Sequence, residues 1–320
     1  MSRIGIVCGA GIVSGKEIMA LELGQGLRNQ AQHVEFVTSW WGDGEFRRRL
    51  CVDDFRAHVM RLGFISATLT FDALRMTAHQ LCYWPALLLT YRRFLRNFAP
   101  DQIVHTNWHH LLLLAPFLKS SRDIYWVHEV LPDKPQFRKV FDWLARRLKC
   151  FVAVSNAVAE SLYQIGIPRA KVRVIHNGIK DPSGFTKPKV DTYKQFRIAI
   201  VGQVGEWKGH DDLLDAFGAI QKKHSNSELH IFGRGAVEYE RHLKERILCL
   251  GITEQVFWHG FISDRKVMFR GMAVCVAPSR SQDPLPTTAS EAGFFGIPVI
   301  GTRRGGLPGD NRRWRHGTTF

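Results

Sequence analysis

One pattern, met twice, constrains the fold more than anything else in this chain. Arg3–Val7 is a short apolar run that breaks at Cys8-Gly9-Ala10-Gly11, and Gly15–Arg28 then places Ile18, Leu21 and Leu27 at helical spacing. Phe196–Val201 is a second such run, ending at Gly202, with a helical segment at Asp211–Lys222. A strand that feeds a glycine turn and a helix opens a doubly wound α/β domain, because a parallel neighbour is reached only through a crossover. Strands are expected at His33–Thr38, Gln102–His105, Asp123–Val127, Cys150–Val154 and Lys171–Ile175. The second half adds Leu229–Gly233, Val256–His259, Met272–Ala277 and Pro298–Thr302. Helices are expected at Asn156–Ile165, capped by Ser155, and at Val237–Leu250 and Thr288–Phe295.

Between the two patterns, Lys180–Gln195 holds Pro182, Ser183, Gly184, Pro188 and four lysines, with no apolar period. It reads as a linker over 181–195, leaving an α/β domain at 1–180 and another at 196–320. With 320 residues, 45% of them hydrophobic, the chain can fill two cores. The net charge of +15 excludes an acidic solvating protein and favours anionic partners: nucleic acid, membrane surface or phosphorylated substrate. Cysteines stand at 8, 51, 82, 150, 249 and 275, without CxxC spacing. No zinc site is expected, and a reducing cytoplasmic setting fits. No signal peptide is visible, and the densest apolar run, Leu111–Leu118, is far short of the ~20 residues that span a bilayer.

Two constellations carry chemistry. In Ala277–Thr302 a strand ends in a polar loop, a helix follows, and Gly296-Ile-Pro leads into another strand. Asp283 and Glu291 flank the amides around Pro286–Ala289, which open the helix and suit an anion. A ligand with phosphate in its middle and hydroxyls at both ends fits there, as a nucleotide-sugar does. Taken alone, Glu291 reads equally as a residue that caps or solvates a helix. The second constellation, Gly202-Gln-Val-Gly-Glu-Trp-Lys-Gly209, sets Lys208 in a glycine-rich turn past a strand, within reach of phosphates. A solvated loop lysine is the bland alternative. His105-Thr-Asn-Trp-His-His110 resembles a metal cluster, but adjacent histidines point apart and no carboxylate is near, so no metal is expected.

Together these motifs resemble the retaining glycosyltransferases of family four (glycosyl transferases group 1). Val154-Ser155-Asn156, Val174-Ile-His-Asn-Gly-Ile179, Phe232-Gly-Arg-Gly235, His259-Gly260-Phe261 and Gly296-Ile-Pro-Val-Ile300 follow in the family's order, from about residue 4 to residue 308. The resemblance implies two Rossmann-like domains facing across a cleft, the B-type fold, with acceptor on the first and donor on the second. It implies that Lys208 binds the donor diphosphate and steadies the leaving group, Glu291 accepts from the ribose hydroxyls, and Asp283 contacts the transferred sugar. The amides near Leu285, Pro286, Thr287 and Thr288 would hold the sugar and distal phosphate. Phe261 and Arg234 would lie near the base, Gly9 and Gly11 would form the turn beside the phosphate or acceptor, and His128 would stand near the sugar.

The reaction implied is transfer of a sugar with retention of configuration to a glycan or lipid-linked acceptor. The acceptor attacks on the face the diphosphate leaves, with no metal, cofactor or dedicated nucleophile. Polysaccharide or lipopolysaccharide synthesis is the expected setting, at the inner face of the membrane. Trp40-Trp41 with Arg47–Arg49, Tyr83–Arg96 and Val140–Lys149 mix aromatic and basic residues, which suits peripheral contact with anionic lipid, and a core-packing role for these aromatics fits equally. Three readings compete: a truncated, inactive remnant that at most binds donor, a nucleic-acid-binding protein, for which no motif accompanies the charge, and a sugar-nucleotide epimerase, whose pattern matches less.

The sequence departs from the family at three places. Gln203 occupies an arginine position in the diphosphate site, and Asp283 replaces a glutamate. After Gly305-Gly306-Leu307-Pro308, Gly309-Asp-Asn-Arg-Arg-Trp-Arg-His-Gly-Thr-Thr-Phe320 stands where the family runs on, so the last segment of the second domain is expected to be missing. Back-translated from the second base of the Pro308 codon, the tail permits Pro-Glu-Ile-Ile-Val-Asp-Gly-Ala-Thr-Gly-Leu-Leu, the family's continuation. We hypothesise a one-base frameshift near Pro308, which an unshifted read in independent isolates would refute. A chain that truly stops here is expected to be poorly stable and weakly active.

Overall fold

The computed structural model describes residues 1–9, 13–65, 70–178, 195–262, 264–310 and 318–319, the side chains at 72, 73, 309, 310, 318 and 319 excepted. Gly11 and nearly all of the expected linker lie outside the described residues. The chain divides into two compact units, Met1–Gly178 and Ile179–Phe320.

The first unit holds β1 (Arg3–Val7), β2 (His33–Ser39), β3 (Arg56–Met60), β4 (Gln102–His105), β5 (Asp123–Val127), β6 (Cys150–Ala153) and β7 (Val172–Val174). They form one sheet in the order β3-β2-β1-β4-β5-β6-β7, every pairing parallel. Successive side chains of β1 point to opposite faces, so each face has its own core. Ile6 and Cys8 pack with Leu21, Phe36, Leu50 and Phe55, while Val7 packs with Val37, Leu87, Tyr91, Phe94 and Ile103. Each fully buried side chain of this kind is worth about 1.5–3 kcal/mol over leaving it in water. The helix Gly15–Asn29 approaches the sheet closely at Gly24, where a Cβ would stand 2.9 Å from the Phe36 ring.

The second unit repeats the plan with β8 (Phe196–Val201), β9 (Ser227–Phe232), β10 (Val256–Gly260), β11 (Val274–Ala277), β12 (Val299–Gly301) and β13 (Thr318–Thr319), in the order β10-β9-β8-β11-β12-β13. One face is sealed by Ile198, Ile200, Leu214, Phe217 and Leu243, the other by Ala199, Phe232, Phe269, Cys275 and Phe295. β13 pairs Thr318 and Thr319 with Ile300 and Gly301, so part of the basic tail joins the sheet despite its lack of apolar pattern.

Both units therefore have the doubly wound order expected from the sequence, with differences at the margins. β3 has no apolar alternation because it is an edge strand whose polar groups meet one carboxylate. His58 Nε2 lies 2.6 Å and Arg56 Nη1 3.5 Å from Glu35. The helices Phe71–Cys82 and Trp84–Phe98 fill the long crossover from β3 to β4. Among the described residues no helix is long and apolar enough to cross a membrane.

Candidate functional site

In a doubly wound sheet the loops diverge where the strand order reverses, leaving a crevice beyond the carboxyl ends of the strands. In the second unit that point lies between β8 and β11. Past β8, Gly202 has φ +142° and the Lys208 side chain lies against it, Cε 3.7 Å from where a Cβ would be. A 3-10 turn over Glu206–Lys208 then delivers Lys208. The next residue must be glycine, because Gly209 has φ +75° and a Cβ there would stand 2.0 Å from the Pro278 carbonyl oxygen.

Past β11, the Arg280 amide donates to the Trp207 carbonyl at 2.9 Å, and the Arg280 guanidinium grips Asp212 with two bonds of 2.7 Å. The two loops are thus tied by backbone and side chain. Within that frame the Lys208 ammonium donates to the carboxylate of the buried Asp283. Asp283 is fixed from behind: the Gly306 amide donates to its carbonyl at 2.8 Å, and Gly305, at φ +59°, packs where a Cβ would be 1.9 Å from that oxygen.

The helix Thr287–Phe294 begins after Pro286, which offers no side-chain cap. Its first amides have no partner within the helix, and its dipole favours an anion there. Leu285 and Pro286 are buried, while Thr287 and Thr288 are half-buried. One turn on, the buried Glu291 takes an ion pair from Arg265 Nε at 2.9 Å. The solvated-helix alternative for Glu291 is therefore corrected. Glu291 also adds to burial in pushing the Cys275 thiol up to about 12.

Arg265 was not anticipated from sequence. It opens a five-residue helix, too short for a periodic signal, and the available cue was its N-cap Asp264, whose side chain accepts from the Lys266 amide at 2.8 Å. Gln203, Arg234 and Phe261 are exposed at the ends of β8, β9 and β10, and the Arg234 guanidinium lies against Gly260. His210, beside Gly209, has Nδ1 3.3 Å from the Gly205 carbonyl. Burial, ahead of the Lys208 charge, lowers its pKa to about 4.

In the first unit the reversal lies between β1 and β4. Gly9 follows β1 at φ +96°, where a Cβ would sit 2.6 Å from Thr38 Oγ1. His128 follows β5, its ring 4.3 Å from that of Trp126, and its Nε2 is buried without a hydrogen-bond partner. Burial, then the charge of Lys16, lowers its pKa to about 3, so it is neutral at physiological pH. Burial holds the neighbouring Glu129 above the ordinary carboxylate range, and the Tyr125 hydroxyl donates to it at 3.1 Å. Lys16, another residue not singled out from sequence, also acts on Cys8, His109 and His110.

The histidine cluster does have a carboxylate after all. His105 Nε2 lies 2.8 Å from Asp123 Oδ1, both fully buried, a pairing across neighbouring strands that sequence distance concealed. Among the described residues no group of three or more His, Cys, Asp or Glu side chains is arranged to hold a metal ion.

Two family models match the chain. Glycosyltransferase Family 4 covers residues 13–181, and Glycosyl transferases group 1 covers residues 185–320. Mannosylfructose-phosphate synthase of Agrobacterium fabrum is 28% identical over 160 residues, 44% of this chain and 35% of that protein. The putative colanic acid biosynthesis glycosyltransferase WcaL of Escherichia coli is 25% identical over 181 residues, 54% of this chain and 43% of its own length. The chain thus spans less than half the length of these curated relatives. Among solved structures, Anabaena HepE in complex with UDP superposes with a TM-score of 0.79 at 18% identity, covering 100% of this chain and 85% of that one. Sucrose-phosphate synthase of Thermosynechococcus elongatus gives 0.77 at 16% identity, covering 100% and 86%.

Proposed function

The chain belongs to the family 4 glycosyltransferases, and on that premise we propose that it moves a hexose from a nucleotide-sugar to a glycan or lipid-linked acceptor, retaining the anomeric configuration. The observation that carries the reading is the Lys208–Asp283 ion pair at the strand-order reversal, beside the uncapped start of the helix Thr287–Phe294. A cation and a set of helix amides face the place where a diphosphate would gather charge as it departs, and fixed donors of this kind are worth most at such a point. Asp283 and Glu291 would then lie on either side of the diphosphate, suited to accept from sugar and ribose hydroxyls.

In the proposed reaction the bond from the anomeric carbon to the diphosphate oxygen breaks while the acceptor oxygen bonds to that carbon on the same face. The acceptor's proton passes to the departing phosphate oxygen. Lys208, the Thr287 and Thr288 amides and the exposed Arg234 would meet the diphosphate charge, Arg234 compensating for Gln203. Turnover that persists in a chelator is expected. Phe261 would stack on the base. On the acceptor side, His128 is a neutral imidazole able to hydrogen-bond a sugar hydroxyl. A UDP-sugar is the donor to try first, since HepE is solved with UDP and with UDP-glucose. A polysaccharide or lipopolysaccharide product is supported by the names of WcaL and of WaaB, a lipopolysaccharide outer core galactosyltransferase of the same fold, and synthesis at the cytoplasmic face of the membrane is part of the same proposal.

Calorimetric titration of the 320-residue chain with UDP-, GDP- and ADP-sugars tests this. Binding of one of them, lost in Lys208→Ala and Glu291→Ala, is the expected outcome. A folded chain that binds none refutes the donor site.

A further inference from the structure

We propose that His210 is a positioning residue of the nucleotide-sugar site, holding through the Gly205 carbonyl the turn that carries Lys208. The proposal rests on the reading above, in which Lys208 meets the diphosphate.

The turn has little stiffness of its own. It runs between Gly205 and Gly209, and glycine constrains a backbone least of all residues. Ahead of it, the Val204 amide donates to the Arg234 carbonyl at 2.9 Å; behind it, the helix His210–Gln221 begins. Within it, the Lys208 amide donates to the Gly205 carbonyl and the Gly209 amide to that of Glu206, each at 3.0 Å. Bonds of this 3-10 kind have poorer geometry than those of an α-helix, so the turn depends on outside support. One support is the Arg280 amide on the Trp207 carbonyl. The other is His210, whose Nδ1 lies 3.3 Å from the Gly205 oxygen. That oxygen therefore accepts twice, from the Lys208 amide and from the imidazole, and both of its lone pairs are used.

The bond fixes the tautomer. A carbonyl oxygen only accepts, so the ring proton is on Nδ1 and Nε2 is a bare lone pair. His210 is 2% exposed, and Nε2 is buried without a hydrogen-bond partner. An apolar side chain in this place would spare that stranded atom its lost solvation. What the imidazole supplies and an apolar side chain does not is the bond to Gly205, which points to the turn as the reason for the residue. The ring also stays uncharged. Burial opposes a second proton, the Lys208 charge adds to that opposition, and neither the Gly205 bond nor Asp211 outweighs them. His210 thus places the ammonium without adding a charge that would compete with it for Asp283 or for a diphosphate.

The effect reaches the chemistry through one side chain. Lys208 follows Gly205 by three positions, and its ammonium pairs with the carboxylate of Asp283, on the loop past β11. A turn released at Gly205 pivots on the Trp207 carbonyl and carries the lysine out of register with that carboxylate.

Calorimetric titration of the full chain with UDP and with uridine tests the proposal. His210→Leu removes the ring N–H, and UDP should bind it about three- to tenfold more weakly, the worth of one hydrogen bond. Uridine, which lacks the diphosphate, should bind wild type and variant alike, whereas a general loosening of the unit would weaken both ligands. His210→Asn, whose amide also donates, should restore most of the UDP affinity. Nitrogen NMR of the wild-type ring, assigned by its absence from His210→Asn, should show Nδ1 protonated and Nε2 bare throughout the range in which an ordinary imidazole titrates, since its own pKa is lowered from 6.5 to about 4. Unchanged UDP affinity in His210→Leu overturns the proposal. So do parallel losses for UDP and uridine, equal losses in the Leu and Asn variants, or a ring protonated at Nε2. The nitrogen spectrum and the Asn variant decide the matter where His210→Leu fails to fold. A folded wild type that binds no UDP strikes the reading of the site and this proposal with it; UDP binding that is indifferent to His210 strikes this proposal alone.

Discussion

Lys208 and Asp283 form an ion pair across the two strand ends at which the order of the second sheet reverses, and both side chains are largely removed from water, 16% and 8% exposed. Under the proposed function, a donor diphosphate would enter a site where its cation is already engaged. Lys208→Ala should weaken nucleotide-sugar binding by about tenfold or more. It should also destabilise the unit by about 3–5 kcal/mol, the usual cost of stranding one member of a buried pair. Asp283→Asn separates the two roles: it frees Lys208, so UDP alone binds as well as before or better, while the added affinity due to the sugar is lost. Titrating both variants with UDP and UDP-glucose checks this, and parallel losses for the two ligands would count against a sugar-contacting Asp283.

Glu291 must exchange Arg265 for the ribose hydroxyls if the site works as proposed. Glu291→Gln is expected to lose about 1.5–3 kcal/mol of donor affinity, the worth of hydrogen bonds to a charged group. A donor lacking the ribose hydroxyls should bind wild type and variant alike. Calorimetry on the four combinations gives the coupling energy, and a value near zero would leave Glu291 a structural partner of Arg265.

Burial depresses the pKa of His128 to about 3 and that of His210 to about 4, and His110 also lies well below 6.5. Each binds a proton in the unfolded chain near pH 6.5 and none in the folded chain until far lower. The stability these neutral rings contribute is full above pH 6.5 and falls with pH down to the folded values. Each costs up to about 1.4 kcal/mol per pH unit. Urea melts between pH 7.5 and 4.5 should show the decline, and His128→Asn should reduce its slope by about one proton.

Gly305 and Gly26 should respond oppositely to alanine. At Gly305 the positive φ and a Cβ 1.9 Å from the Asp283 carbonyl force the loop aside, so Gly305→Ala loses donor binding and at least about 1–2 kcal/mol of stability. Gly26 lies inside a helix with nothing within 4 Å of its Cβ position, so Gly26→Ala should gain about 0.5–1 kcal/mol. Denaturant midpoints of the two variants decide the matter.

How much of this was readable beforehand depended on the kind of signal. β1, β4, β5 and β8 have the bounds their apolar runs suggested, because a strand buried on both faces writes itself as a continuous run. Lys208, Asp283 and Glu291 were visible through spacing within loops and one helix. Arg265, Lys16 and the His105–Asp123 pair were not, because their partners come from other elements and only the assembled sheet brings them close. β3 stayed hidden because its outward groups answer to Glu35 on the next strand.

The amide of Arg280 bonds to the carbonyl of Trp207, and the guanidinium of the same residue holds Asp212. The lysine and the aspartate are thus mounted on one plate instead of two independent arms. A ligand that draws Lys208 toward it pulls the Asp283 loop along, and the site responds to its occupant as a single part. The geometry between cation and carboxylate is then inherited from the framework of the sheet.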